Sequence, residues 1–186
     1  GCGNLTTLAG CLAIDPKLRE RFRNFLTINV TEFLRNPEKW QELAQSILPT
    51  LARRRPALRL WSAGCSRGAE PYSLALVLLE TAGGTGHQIL ATDIDEEVLA
   101  AARHGIYEEG ELRHVPPAWR RRHFEALGDG RWRVSTGLRR LVRFQRHDLL
   151  RDPFPQGFDL IVCRNVVIYF TDEAKEAIKA GKLDGS

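Results

Sequence analysis

Three short runs hold residue types that could do chemistry together. Gly64, Cys65, Ser66, Arg67 and Gly68 form a glycine-bounded turn, and Glu70 follows it. Asp93 and the pair Arg164 and Asn165 each end a separate apolar run. A glycine-rich turn lets a ligand approach the backbone closely and points the amide hydrogens of the next helix at it. An acid at the end of the following apolar run can accept two hydrogen bonds from a ribose diol. Together these residues specify a ligand that carries a nucleoside.

The turn is not G-x-G-x-x-G, because Cys65, Ser66 and Arg67 all lie between Gly64 and Gly68, and nothing matches G-x-x-x-x-G-K-[ST]. A dinucleotide pyrophosphate or a nucleoside triphosphate therefore fits less well than adenosine joined to a group without phosphate. S-adenosylmethionine meets that description, and Glu70 can pair with its cationic ammonium. Each residue alone has a packing explanation. Asp93 can cap a helix, and Glu70 can be a helix-start carboxylate favoured by the dipole. Three such features at successive strand ends are harder to explain by packing.

The elements that must position these residues follow from periodicity. Strands are predicted over 58–62 and 88–92, with helices over 70–81 and 95–104 after them, the second with Val98, Leu99 and Ala102 facing inward. This βαβα series is the signature of a parallel sheet with crossover helices, in which ligands bind beyond the carboxyl ends of the strands. Upstream, Pro37 suits a first helical turn, and Trp40, Leu43, Ile47 and Leu48 mark a buried stripe. Before it, residues 1–26 read as a polar loop and a short amphipathic helix starting at Asp15 and Pro16. Downstream, a short helix is expected at 119–123 and a strand at 141–145. "LGDGRWRVS" predicts a small antiparallel hairpin, and 158–163 a buried strand. Thr171 caps a last helix.

Composition bounds the rest. The 186 residues are 43% hydrophobic, enough for one α/β core, and no apolar run reaches the roughly 20 residues of a membrane span. Cys2, Cys11, Cys65 and Cys163 lack CxxC or zinc spacing, which favours a reduced, cytoplasmic protein without a metal. His87, His104, His114, His123 and His147 are spread out and read as surface or packing residues. The net charge of +4 suits an acidic protein partner. Nucleic acid fits poorly, because Arg53, Arg54 and Arg55, and likewise Arg120, Arg121 and Arg122, lack interleaved aromatic residues. With no methionine anywhere, the chain reads as trimmed at both ends.

Four ordered motifs, "INVTEFLR", "WSAGCSRGAEPYSLA", "ATDIDEEVLAAARHGIY" and "FDLIVCRNVVIYF", resemble the chemotaxis receptor glutamate methyltransferases of the CheR type. The resemblance implies a Rossmann-like class I methyltransferase sheet with crossover helices and a small inserted antiparallel β-subdomain. It divides the chain into a remnant of a helical N-terminal domain (1–26) and a methyltransferase domain (27–186), with the insert at about 124–143 and the family's C-terminal strands missing. It assigns contacts with S-adenosylmethionine to Asn29, Thr31, Arg35, Gly64, Cys65, Ser66, Gly68, Glu70, Asp93, Asp148, Leu149, Arg164 and Asn165. Arg35 and Tyr169 would stand near the transferring methyl. Tyr169 alone would read as a core tyrosine. The family's "F-F-R" reads Phe33, Leu34, Arg35 here, the first acid of its "G-E-E-P-Y-S" is replaced by Ala69, and Arg67 replaces a small hydroxyl residue.

The implied reaction is methyl transfer to glutamate side chains on the acidic cytoplasmic helices of chemoreceptors, leaving S-adenosylhomocysteine. A glutamate carboxylate is ionised at neutral pH and needs no general base, which agrees with the lack of a His, Ser or Cys catalytic arrangement. Arg120, Arg121, Arg122, Arg139, Arg140 and Arg143 are candidates to steer an acidic helix toward a monomeric enzyme. Two other readings share these residues: a class I methyltransferase acting on a small molecule or nucleic acid, and a cofactor-binding regulatory module without catalysis.

Overall fold

The computed structural model describes residues 13–15, 32–82 and 86–164. The chain divides into two compact units, 1–30 and 31–186, and only 13–15 of the first are described. Strands β1 (Arg59–Ala63), β2 (Gln88–Asp93), β6 (Val142–Arg146) and β7 (Leu160–Val162) form a parallel sheet in the order β6-β2-β1-β7. The order reverses between β1 and β7, so the crevice for a ligand opens at the carboxyl ends beside β1.

β1 is buried from Leu60 to Ala63, as a central strand covered on both faces must be. Its alternation sends Leu60 and Ser62 one way and Trp61 and Ala63 the other. Trp61 and Ala63 join Leu149, with Phe154, Phe158 and Cys163 packed on them. On the opposite face lies helix α3 (Ala69–Val77), buried almost all round, which ends in a π-turn over Leu78–Ala82. Helix α4 (Glu96–His104) starts at Asp95, whose carboxylate accepts from the amides of Glu97 and Val98, and stops at Gly105 with φ 64°. Among the described residues no helix is long and apolar enough to cross a membrane.

Helices α1 (Pro37–Glu42) and α2 (Leu48–Arg54) are joined by a π-turn, Leu43–Ile47. Pro49 has no N–H for the carbonyl four residues back and its ring would strike it, so the helix widens there. The widened turn breaks the expected stripe. Trp40, Leu43 and Leu48 are buried, but Ile47 is 39% exposed.

An antiparallel sheet of order β3-β5-β4 is inserted between α4 and β6, built from β3 (Ile106–Glu108), β4 (Phe124–Gly128) and β5 (Arg131–Val134). The Gly-Asp-Gly turn is the expected hairpin, with Gly128, Asp129 and Gly130 all at positive φ. The sheet begins at Ile106, well before the expected 124, because a three-residue strand shows no period. Helix α5 (Pro117–His123) opens at the second residue of the double proline, and a second short helix, α6 (Thr136–Leu141), lies between the expected hairpin and the expected strand at 141–145, where no helix was expected. β7, expected to be fully buried, is half-buried because it forms an edge of the sheet among the described residues.

Candidate functional site

The 64–68 loop is fastened to the end of β2. The amides of Gly64 and Cys65 both donate to the Thr92 carbonyl, at 2.7 and 2.8 Å. The Ser66 amide donates to Asp93 Oδ2 at 2.8 Å, and that of Gly68 to the Cys65 carbonyl at 3.0 Å. Gly64, Ser66 and Gly68 have φ of 74°, 47° and 92°. At Gly68 a Cβ would lie 2.9 Å from Ala102 Cβ, 3.0 Å from the Tyr107 hydroxyl and 3.2 Å from Phe144 Cζ. Only glycine fits, both by conformation and by space.

Glu70, in the first turn of α3, points back at β1, where Ser62 Oγ donates to its Oε1 at 2.7 Å. Burial pushes the Glu70 carboxyl up to about 7, against the opposing pull of the Ser62 hydrogen bond and the Arg164 charge. Asp93 is also raised by burial, while its bonds from the Asp95 and Ser66 amides act the other way. The Ser66 amide bonds to one Asp93 oxygen and the Asp95 amide to the other, the Ile94 amide also acts on the carboxylate, and its roughly four lone-pair sites still leave room for a ligand. Cys65 contributes backbone only: its thiol is 2% exposed and is raised well above the usual range by burial and then by Asp93 and Glu70. It is no nucleophile.

Arg35 sits between two non-glycine residues in left-handed conformation, Leu34 (φ 52°) and Asn36 (φ 60°). Such strain persists only where the surroundings over-determine it. Here Phe33 N donates to the Glu111 carbonyl and Leu34 N to Ser73 Oγ, both at 2.9 Å, with the Phe33 and Leu34 side chains buried. The Arg35 carbonyl accepts from Trp40 Nε1 and from Arg164 Nη1, each at 2.9 Å.

At the end of β6 the His147 amide donates to the Asp93 carbonyl at 2.9 Å, which fixes the chain leading into Asp148 at the end of β2. Asp148 closes a tight turn: its amide donates to Asp152 Oδ2 at 2.8 Å and its Oδ1 accepts from Leu150 N at 2.9 Å. Leu149 is buried against Trp61 and Ala63.

The structure thus gathers the 64–68 loop, Glu70, Asp93, Asp148 and Arg164 at the carboxyl ends of four neighbouring strands, with Arg35 joined to them through Arg164. Asn29, Thr31, Asn165 and Tyr169 lie outside the described residues. Ser62, Thr92, Asn36 and Ser73 were missed in the sequence. Ser62 and Thr92 are polar residues near the ends of apolar strands, a usable signal, whereas Asn36 before Pro37 looks like an ordinary helix start.

Arg67 turns away to pair with Glu111 at 3.6 Å. The basic surface is narrower than the arginine count suggests. Arg120 pairs with Glu109 and covers the Trp132 ring, Arg122 and His123 both meet Glu80, and Arg139 donates to Thr136. Arg121, Arg140 and Arg143 are exposed.

Residues 29–181 match the family model of the CheR methyltransferase, SAM binding domain. The chain is 43% identical over 162 residues to a chemotaxis protein methyltransferase of Listeria innocua, covering 87% of this chain and 62% of that one. It is 38% identical to a probable chemotaxis protein methyltransferase of Rhizobium etli, over 86% of this chain and 63% of the relative. Against chemotaxis protein methyltransferase 1 of Pseudomonas aeruginosa the identity is 39%, over 87% and 62%. The chain therefore spans somewhat less than two thirds of the length of these relatives. With a parallel sheet, a glycine loop and half-buried acids at its carboxyl edge, and a match over most of its length, the chain belongs to the CheR methyltransferase family and carries that family's S-adenosylmethionine-binding domain.

Proposed function

We propose that residues 27–186 form an S-adenosylmethionine-dependent protein-glutamate O-methyltransferase domain acting in the cytoplasm on acidic helices of chemoreceptors. One observation carries the reading: two half-buried, desolvated carboxylates, Glu70 and Asp93, flank a glycine loop that has no phosphate-binding motif. This donor set fits the cofactor's charges. Asp93 suits the ribose diol, and the loop backbone leaves room for close approach. Glu70, desolvated and hydrogen-bonded by Ser62, suits an ammonium group. Asp148 and Leu149 would serve the adenine, and Arg35, Arg164 and Asn165 the amino-acid end, with Asn29, Thr31 and Tyr169 completing the set.

The bound cofactor would supply a methyl group activated by a positively charged sulfur. The protein's part is orientation and exclusion of water. An ionised glutamate needs no base, so positioning accounts for most of the rate. Arg35 has the planar fork to orient a carboxylate, and its strained flanks hold its backbone in one place. The exposed Arg121, Arg140 and Arg143 would attract an acidic helix.

Two measurements test the reading. Calorimetric titration with S-adenosylhomocysteine should show one site, and labelled receptor fragments should gain base-labile methyl esters on glutamate. Binding without esterification of any receptor fragment would leave the cofactor assignment and remove the enzymatic one.

A further inference from the structure

We propose that Tyr107 is a positioning residue for the 64–68 loop, acting from the antiparallel sheet on the cofactor site. Tyr107 is the middle residue of β3, opposite Trp132, and its side chain is 1% exposed. Its hydroxyl donates to the Arg67 carbonyl at 2.5 Å. The same oxygen fills the hollow left by the missing side chain of Gly68, where a Cβ would come within 3.0 Å of it. One phenol therefore holds the last peptide of the loop from outside and bars any larger residue from the position that opens α3. Its ring also stands edge-on to Phe33, with centroids 4.8 Å apart and planes at 89°, so it buttresses the segment that carries Arg35. Burial raises the phenol well above its ordinary value, which keeps it a donor at every pH of interest.

Tyr72 supplies a matched comparison. It is equally buried, at 1% exposure, and its hydroxyl also donates to a backbone carbonyl, that of Ala102 at 3.1 Å. That carbonyl belongs to helix α4, whereas the partner of Tyr107 belongs to the loop. A tyrosine that merely fills the core should behave alike at both positions.

The loop's role as a cofactor site rests on the function proposed above, so the test has one readout that does not need the cofactor. Hydrogen exchange of the amides over 64–68 is followed in the wild type, Tyr107→Phe and Tyr72→Phe, at conditions of matched global stability. Tyr107→Phe should speed exchange in the loop by about tenfold, the order expected for one buried hydrogen bond, and Tyr72→Phe should leave it unchanged. Wild-type exchange in Tyr107→Phe, or equal acceleration in both variants, overturns the proposal. Titration with S-adenosylhomocysteine then gives the functional consequence, a severalfold loss of affinity in Tyr107→Phe alone. A wild-type chain that binds none would sink the cofactor reading, while the exchange data still decide what Tyr107 does to the loop.

Discussion

Arg164 binds across 129 positions of sequence to the backbone of Arg35, Nη1 to its carbonyl at 2.9 Å, and to Asn36, Nη2 to Oδ1 at 2.7 Å. The guanidinium lies over the Trp40 ring at 5.7 Å, and its charge also acts on Glu70. One side chain beyond β7 thus ties the strained segment before α1 to the carboxylate at the start of α3. Arg164→Ala should release the 34–36 segment and raise Glu70 further, weakening S-adenosylhomocysteine by roughly tenfold or more at neutral pH. Arg164→Lys keeps the charge but not the fork, so it should recover only part of that loss. Titration calorimetry of both variants checks this, and full affinity in Arg164→Ala would refute it.

For Arg35 the fold uses the carbonyl, through Trp40 and Arg164. Replacing the side chain leaves both of these backbone bonds available. Arg35→Ala is expected to abolish most methyl transfer, and Arg35→Lys to restore a fraction. Single-turnover rates at saturating cofactor separate chemistry from binding. Wild-type rates in both variants would move Arg35 out of the site.

Asp93 and Asp95, two residues apart, do different work. Asp95 caps α4, so Asp95→Ala should cost about 1 kcal/mol of stability and little affinity. Asp93 holds the Ser66 amide and is the proposed partner of the ribose, so Asp93→Ala should cost about 1.5–3 kcal/mol in cofactor binding. Melting curves and titrations on the two proteins should show opposite orders of severity, and equal small losses of affinity would remove the ribose assignment.

Much of this site was legible because backbone chemistry marks it. Gly64, Gly68 and Asp93 stand where apolar runs stop, and a parallel sheet places such ends together whatever the side chains between them. What was not legible depends on contacts between distant segments. Nothing near Ser62 in sequence shows that it donates to Glu70, nor does anything near Ser73 show that it receives the Leu34 amide. Three-residue β3 and six-residue α6 were lost because neither is long enough to display a period. Ile47 was misplaced because a heptad-like stripe assumes regular pitch, and the turn forced by Pro49 has a wider one.

Glu70 makes both stability and binding depend on pH, with opposite preferences for its charge. Its carboxyl lies near 7 in the folded chain against an ordinary 4.5, because burial disfavours the anion. Below about pH 4.5 the folded and unfolded chains both hold the proton. As pH rises from there the unfolded chain releases it while the folded chain keeps it, so stability falls until the folded group also ionises near 7. Glu70→Gln should remove this trend, so the variant should melt progressively higher than the wild type as pH is raised from 5 toward 8. An ammonium ligand needs the anion. Affinity of the wild type for S-adenosylhomocysteine should therefore rise with pH by up to tenfold per unit below about 7 and level off above it. Binding at pH 6 should release close to one proton, read from calorimetric titrations in two buffers of different ionisation heat. Glu70→Gln should bind weakly, with no proton released and a flat pH profile. A wild type that binds equally well at pH 5.5 and 8, with no buffer dependence, would mean that Glu70 does not meet the ammonium.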